Sequence, residues 1–341
     1  MARIICFGEI MMRLSPPGFK RFVQADSFDV SYGGGEANVC VSLANFGMDA
    51  AFVTKLPDNP NGQSALNELR RYGVDTRSIV RGGERLGIYF LEKGGSQRPS
   101  KVVYDRKYSS VSQAAAGDFK WKEIFEGAGW FHFTGITSAL GEQVAGITLD
   151  ACRTAKEKGL TVSCDLNFRE NLWSSEKAGR VMGELMRYVD VCIANEEDAE
   201  KVFGIKAEDT EVASGKLSRE GYMKVAAQLR DRFGFKKVAI TLRGSISASD
   251  NNWAGMLYNG NDFYFSREYH IHIVDRVGGG DSFAGGLIYA VMNGYGGQEA
   301  IEFAVAASCL KHSIEGDFNH ASLSDVKALM EIGRASCRER V

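Results

Sequence analysis

The chain has 341 residues, and its 41 Lys and Arg against 43 Asp and Glu leave a formal charge of −2. That balance excludes a global basic field for nucleic acid or an anionic membrane, and 44% hydrophobic with 25% charged residues is globular composition with enough chain for a large core. Its 39 glycines against only 5 prolines exclude collagen-like and disordered chains and point to many tight turns in an ordinary fold.

The N-terminus runs from Met1 through an apolar stretch at 4–7 straight to Glu9, too short and too soon acidic for a signal peptide. No run of about 18 apolar residues offers a membrane span. Seven scattered cysteines without a Cys-x-x-Cys pair lead us to expect a reduced, cytoplasmic chain without zinc.

Residues 4–7, 51–56, 130–134, 161–165, 189–194 and 238–242 read as short buried strands. Between them, 36–46, 64–72, 142–158 and 222–233 carry amphipathic helical patterns, several ending at a glycine such as Gly47, Gly73 or Gly159. This alternation predicts an α/β fold, a mainly parallel sheet with helices on both faces. Two segments break the rhythm. Residues 15–32 lack a helix signal and alternate in polarity at 28–32, while 86–92 and 101–106 read as a hairpin turning at Lys93-Gly-Gly-Ser96. We expect lid strands from about 15–33 and 86–110, although an edge sheet without a closing role fits the pattern equally. Beyond Asp281 the chain reads as helix at 281–294, 298–312 and 322–332. Residues 333–341 then lose periodicity and read as a disordered or non-native tail, so 1–332 is expected to form one domain.

The sharpest local feature is Asp275-Arg-Val-Gly-Gly-Gly-Asp281-Ser-Phe-Ala-Gly-Gly286, three glycines and an acid where a long apolar helix begins. Converging backbone N–H groups and the helix N-terminus suit a phosphoryl group, and an adjacent carboxylate can accept a proton from an attacking hydroxyl. Asp281 reads equally as a simple helix cap, worth about 1 kcal/mol. Tyr32-Gly-Gly-Gly-Glu-Ala-Asn38 is a second glycine loop before a helix, in which Asn38 can bond hydroxyls and the glycines admit a ligand close to the backbone. Neither loop is a G-x-G-x-x-G dinucleotide fingerprint, and no P-loop motif occurs.

These two loops, with Asp165-Leu-Asn-Phe-Arg169 and Asn195-Glu-Glu-Asp198, resemble in order and spacing the ribokinase (PfkB-type) carbohydrate kinases, from about residue 3 to 332. The resemblance implies a three-layer αβα sandwich with a β-sheet lid, ATP as phosphoryl donor and Mg²⁺, and it admits a monovalent cation. It makes Asp281 the catalytic base and the amides of Gly278, Gly279 and Gly280 an anion hole. It gives Asn195 and Asp198 an indirect part in Mg²⁺ placement. Nucleotide contacts fall to Asn195, Thr241, Arg243, Gly244, Gly278, Gly280 and Asn319. The family often has Gly-Ala-Gly-Asp where this chain has Gly-Gly-Gly-Asp281, and a Glu where Asp198 stands.

A sugar acid needs fixed cations for its carboxylate, and arginine supplies bidentate geometry. Arg106 and Arg169 each read alone as solvated surface. Tyr104-Asp-Arg106 together with the segment from Asp165 to Trp173, however, resembles the 2-keto-3-deoxygluconate kinases of the family. That likeness makes Gly34, Gly35, Asn38, Tyr89, Tyr104, Arg106, Arg169 and Asp281 the acceptor site. Phosphorylation is then expected at the C6 hydroxyl. A fructokinase or other neutral-sugar kinase and a non-catalytic sugar-acid sensor are the alternatives. His132, His270 and His272 read as structural, and the edges of a lid sheet suit pairing between subunits.

Overall fold

The computed structural model describes residues 2–195, 197–206 and 219–335. Among them fifteen strands follow in order: β1 (Arg3–Phe7), β2 (Met11–Ser15), β3 (Asp29–Gly33), β4 (Ala50–Val53), β5 (Lys55–Leu56), β6 (Val80–Arg81), β7 (Gly87–Glu92), β8 (Lys101–Asp105), β9 (Ala128–Thr134), β10 (Thr161–Asp165), β11 (Val191–Ala194), β12 (Lys237–Ser245), β13 (Asp250–Tyr258), β14 (Phe263–Phe265) and β15 (Tyr269–His272). The main sheet runs β14-β13-β12-β11-β10-β9-β1-β4, with β15 also paired to β13. Its pairs from β4 to β12 are parallel, and β13, β14 and β15 extend it antiparallel.

Strands covered on both faces need apolar residues at every position, and β4 and β11 are buried throughout. Period-two alternation divides β1 between two cores: Ile4 and Cys6 face one helix layer, Ile5 and Phe7 the other. The helices Gly35–Asn45, Gly279–Met292 and Gly297–Lys311 cover the first face and pack on one another. A Cβ on Gly285 would lie 2.9 Å from Ser42 Cβ, and one on Gly286 2.9 Å from Ala304 Cα. The second glycine pair of the late motif therefore serves helix packing and not ligand approach.

The lid is a four-stranded sheet, β3-β2-β7-β8, and β7 and β8 form the expected hairpin. Its second strand was misplaced by sequence. It lies at Met11–Ser15, ahead of the expected start at 15, because its buried positions are Met11, Arg13 and Ser15 while Met12 and Leu14 are half-buried. A buried arginine masks the apolar alternation that marks a strand. The strands β13 to β15 likewise went unread apart from the run around His270 and His272. At the C-terminus the helix Leu323–Ala335 extends three residues into the expected tail, whose remainder, 336–341, lies outside the described residues.

Candidate active site

A cavity of about 530 Å³ opens between the lid and the C-terminal ends of the parallel strands, the usual ligand position in an open α/β sheet. Every strand from β9 to β12 delivers a lining residue at or just past its end or, for β12, near it: Ile136 after β9, Asp165 on β10, Ala194 and Asn195 at β11, Thr241 and Arg243 on β12. The lid contributes Met11, Tyr89, Val102, Tyr104 and Arg106, and the glycine loops contribute Gly33 to Gly35 and Gly278 to Asp281. Met11, Tyr89 and Leu91 form a small core of their own against Val277, so the lid rests on the late glycine loop.

That loop presents backbone N–H groups at a helix N-terminus. Gly278 caps the helix Gly279–Met292 with a left-handed φ of 83°, and a Cβ there would lie 2.0 Å from the Asp317 carbonyl oxygen, so only glycine fits. Of the three expected amides, that of Gly279 donates back to the Arg276 carbonyl at 3.3 Å. The N–H groups of Gly278, Gly280 and Asp281 have no acceptor among the described residues. They carry the positive end of the helix. The alanine common in the family would here place its methyl 2.6 Å from His312 Cε1; the His312 ring, fixed by its Nδ1 on the Ser308 carbonyl, fills that space instead.

Asp281 stands at the head of this helix. Burial pushes its carboxyl up to about 6, against the lowering effect of a 2.6 Å hydrogen bond from Asn38 Nδ2. The other end of the Asn38 amide accepts the Gly34 N–H at 3.2 Å. Asn38 is thus engaged with protein at both ends, and it orients Asp281 across the two glycine loops while also lining the cavity. A Cβ on Gly33 would fall 1.9 Å from Asp317 Oδ2, and one on Gly34 1.8 Å from the Glu9 carbonyl oxygen. These two glycines make room for protein atoms while also lining the cavity.

The arginines differ. Arg106 donates through Nε (2.8 Å) and Nη2 to the same Glu9 oxygen, and Ser109 holds the other Glu9 oxygen at 2.5 Å. Its charge is largely met from within the chain, which weakens the expected role as a carboxylate receptor. Arg169 is exposed toward the cavity, forms no ion pair among the described residues, and donates only to the Phe168 carbonyl at 2.9 Å. Tyr89 lines the cavity and donates its hydroxyl to Asp317 at 2.5 Å, which leaves its oxygen only as an acceptor; Tyr104 remains exposed on β8.

Beside Arg169, Asp198 accepts N–H groups from Phe168 (2.9 Å) and Asn195 (3.1 Å), and Asn195 Oδ1 accepts those of Glu197 and Asp198. Both side chains lock a turn, consistent with a contact to ligand that is at most indirect. Asp165 is held well above the usual carboxylate range by burial and then by Asp198 and Asp281. Among the described residues no cluster of three or more His, Cys, Asp or Glu can hold a metal by itself. The carboxyls of Asp165 and Asp198 do fit a cation brought in on phosphates, since bound positive charge relieves their mutual repulsion. Asn319 departs from expectation: wholly buried, it donates to the Ala307 carbonyl at 3.2 Å, accepts the Ala321 N–H at 3.0 Å, and does not line the cavity. Gly244 also lies outside the lining, whereas Thr241 and Arg243 are in it. Sequence reading missed Arg276, a half-buried cation of the lining whose charge is disfavoured by burial and by Arg243. It stands inside the Asp275–Asp281 motif, two residues before the glycines.

The model of the pfkB family of carbohydrate kinases matches residues 1–319. The chain belongs to that family. It is therefore a phosphotransferase with the ribokinase-like fold. A solved 2-dehydro-3-deoxygluconokinase from Thermotoga maritima is 55% identical, superposes with a TM-score of 0.94, and is matched over 97% of this chain and 100% of its own. A 2-dehydro-3-deoxygalactonokinase of Haloferax volcanii is 32% identical over 98% of both chains. A 2-dehydro-3-deoxygluconokinase of Thermoproteus tenax is 28% identical over 93% of this chain and 90% of its own. No described helix is long and apolar enough to cross a membrane.

Proposed function

We propose that this kinase transfers the γ-phosphoryl group of ATP to the C6 hydroxyl of 2-keto-3-deoxygluconate. The observation that carries the reading is Arg169, a guanidinium without an ion pair among the described residues, on the wall of the cavity that also holds Asp281 at a helix N-terminus. Asp281 accepts the hydroxyl proton, with Asn38 orienting it. The unpaired amides of Gly278, Gly280 and Asp281 meet the charge that develops on the phosphoryl oxygens. Arg169 fixes the carboxylate of the acceptor, and Tyr104 on β8 forms its lid-side wall. Arg243, Arg276 and Thr241 line the cavity and take the nucleotide. Mg²⁺ supplies charge neutralisation between the phosphates, and Asp165 and Asp198 are the carboxyls that would face it.

The lid also offers a surface for self-association. All five residues of β8 are exposed, and Val103 presents an apolar side chain on this edge strand, with Val30 exposed on β3 at the opposite edge of the sheet. We infer a homo-oligomer through this sheet; sedimentation of wild type against Val103→Lys tests it. The free thiols of the described cysteines, all buried but the half-buried Cys309, agree with a reduced cytoplasmic setting.

Coupled ADP release measured over a panel of sugar acids and neutral sugars tests the function. Turnover on 2-keto-3-deoxygluconate with little on fructose is expected. Turnover on fructose and none on sugar acids overturns the assignment, and a preference for the galactonate epimer moves it by one stereocentre.

A further inference from the structure

Behind the anion loop lies a buried set of four charges. Arg13 on lid strand β2 donates to Asp275 at 2.5 Å and to Asp317 at 2.9 Å, each partner 3% exposed. Lys311, the last residue of the helix Gly297–Lys311, is fully buried and points its ammonium at the carbonyl oxygens of Ile314 (3.0 Å) and Asp275 (3.4 Å). Two cations and two carboxylates cancel, which is what permits burial at such depth. The set surrounds the turn that presents the anion-binding amides. Asp275 accepts the Val277 and Gly316 N–H groups, the Val274 and Asp275 N–H groups reach the His312 carbonyl, and Lys311 Cε would be 3.3 Å from a Cβ on Gly278.

A compact cation held by backbone carbonyls beneath a loop fixes that loop, and a monovalent metal ion could do the same. The family resemblance admits such an ion, but here a tethered ammonium already draws the two carbonyls together and balances the carboxylates. We propose that Lys311 is a built-in cation that holds the anion loop in its phosphate-binding shape, so that phosphoryl transfer needs no added monovalent ion. Lys311 is a positioning residue, since it packs behind Gly278 and is not itself part of the cavity lining. Removing its side chain leaves one uncompensated buried negative charge and a space of ammonium size, and a small cation from solution can repair both.

The proposal rests on the kinase reading for its rate measurements but not for its binding measurement. Wild type is assayed in potassium chloride and in tetramethylammonium chloride at equal ionic strength, and the rates should agree within twofold. Lys311→Ala in tetramethylammonium should lose at least tenfold in kcat with little change in acceptor KM. Potassium, ammonium or methylammonium should restore most of that loss. In parallel, potassium should raise the thermal midpoint of Lys311→Ala and leave that of wild type unchanged, a readout that survives even without turnover on any sugar. If Lys311→Ala does not fold, Lys311→Met/Asp317→Asn, which keeps the set neutral, should fold and show no potassium response. Wild type activated severalfold by potassium overturns the proposal. So does a folded Lys311→Ala whose midpoint and rate ignore every small cation, or a neutral double variant that potassium still stabilises.

Discussion

The two glycine loops look alike in sequence and do different work. Both open helices that pack on each other, and both line the same cavity. In the early loop, the missing side chains of Gly33 and Gly34 make way for Asp317 and the Glu9 backbone. In the late loop, Gly278 adopts a left-handed turn and Gly280 faces open space, with no atom within 4 Å of a Cβ placed on it. Glycine in the first loop answers to packing, and in the second to conformation and to a ligand's approach. Asn38 joins the two loops by holding Asp281.

The largest effect should come where the loops meet. Asp281→Asn is expected to lower kcat about a thousandfold, within the range that general-base catalysis supplies, with acceptor binding nearly intact by calorimetry. The raised carboxyl gives wild type a pH signature. Protonation of Asp281 as pH falls through about 6 removes the base, so kcat/KM should decline below that point. Near-normal turnover by the variant would return Asp281 to a mere helix cap.

Alanine at single glycines separates the loops next. Gly34→Ala forces a methyl into the Glu9 carbonyl and should destabilise the fold by about 1–3 kcal/mol, the usual cost of overpacking, seen as a lower denaturant midpoint. Gly280→Ala meets nothing and should leave the midpoint level or slightly raised. Its methyl stands in the cavity lining, so the cost should appear as a roughly tenfold loss in kcat/KM for the nucleotide, about 1.4 kcal/mol. Equal destabilisation by both substitutions would erase the distinction.

What was legible in the sequence follows the same division. Parallel strands and their helices announced themselves through apolar runs, because each is buried by its own periodicity. The late motif was legible because free amides and an acid lie within a few residues of one another. Contacts between distant segments were not. The Arg106–Glu9 pair spans 97 positions, and nothing local tells a paired arginine from a receptive one. Strand β2 was hidden by the buried Arg13, whose partners Asp275 and Asp317 lie at the other end of the chain. The two arginines test that lesson. Arg169→Ala should raise acceptor KM about 10- to 100-fold, the loss of a charged hydrogen bond, without moving the midpoint. Arg106→Ala strands the buried Glu9 and should lower stability by about 3–5 kcal/mol. An Arg106→Ala variant of unchanged stability with a large KM effect would restore the direct role.

The smallest effect tests the early loop's acid. Glu36 sits in the first turn of the helix Gly35–Asn45, fully buried, accepting the Thr134 N–H at 2.8 Å and the Thr137 hydroxyl at 2.6 Å. Burial pushes its carboxyl up to about 7 despite those bonds. The folded state therefore holds its proton at pH values where the unfolded chain has released it. Stability from this group is complete at low pH and drains away as pH rises through the window from about 4.5 to 7, with a slope approaching 1.4 kcal/mol per pH unit. Glu36→Gln keeps an oxygen for both bonds and cannot ionise, so its denaturant midpoint should fall less steeply than that of wild type across that window, the decline that remains coming from the other raised carboxyls, Asp281 and Asp165 among them. A wild-type midpoint that climbs from pH 5 to 7, with the variant following it, would mean that Glu36 is ionised in the fold and that the early loop, like the late one, carries a working negative charge.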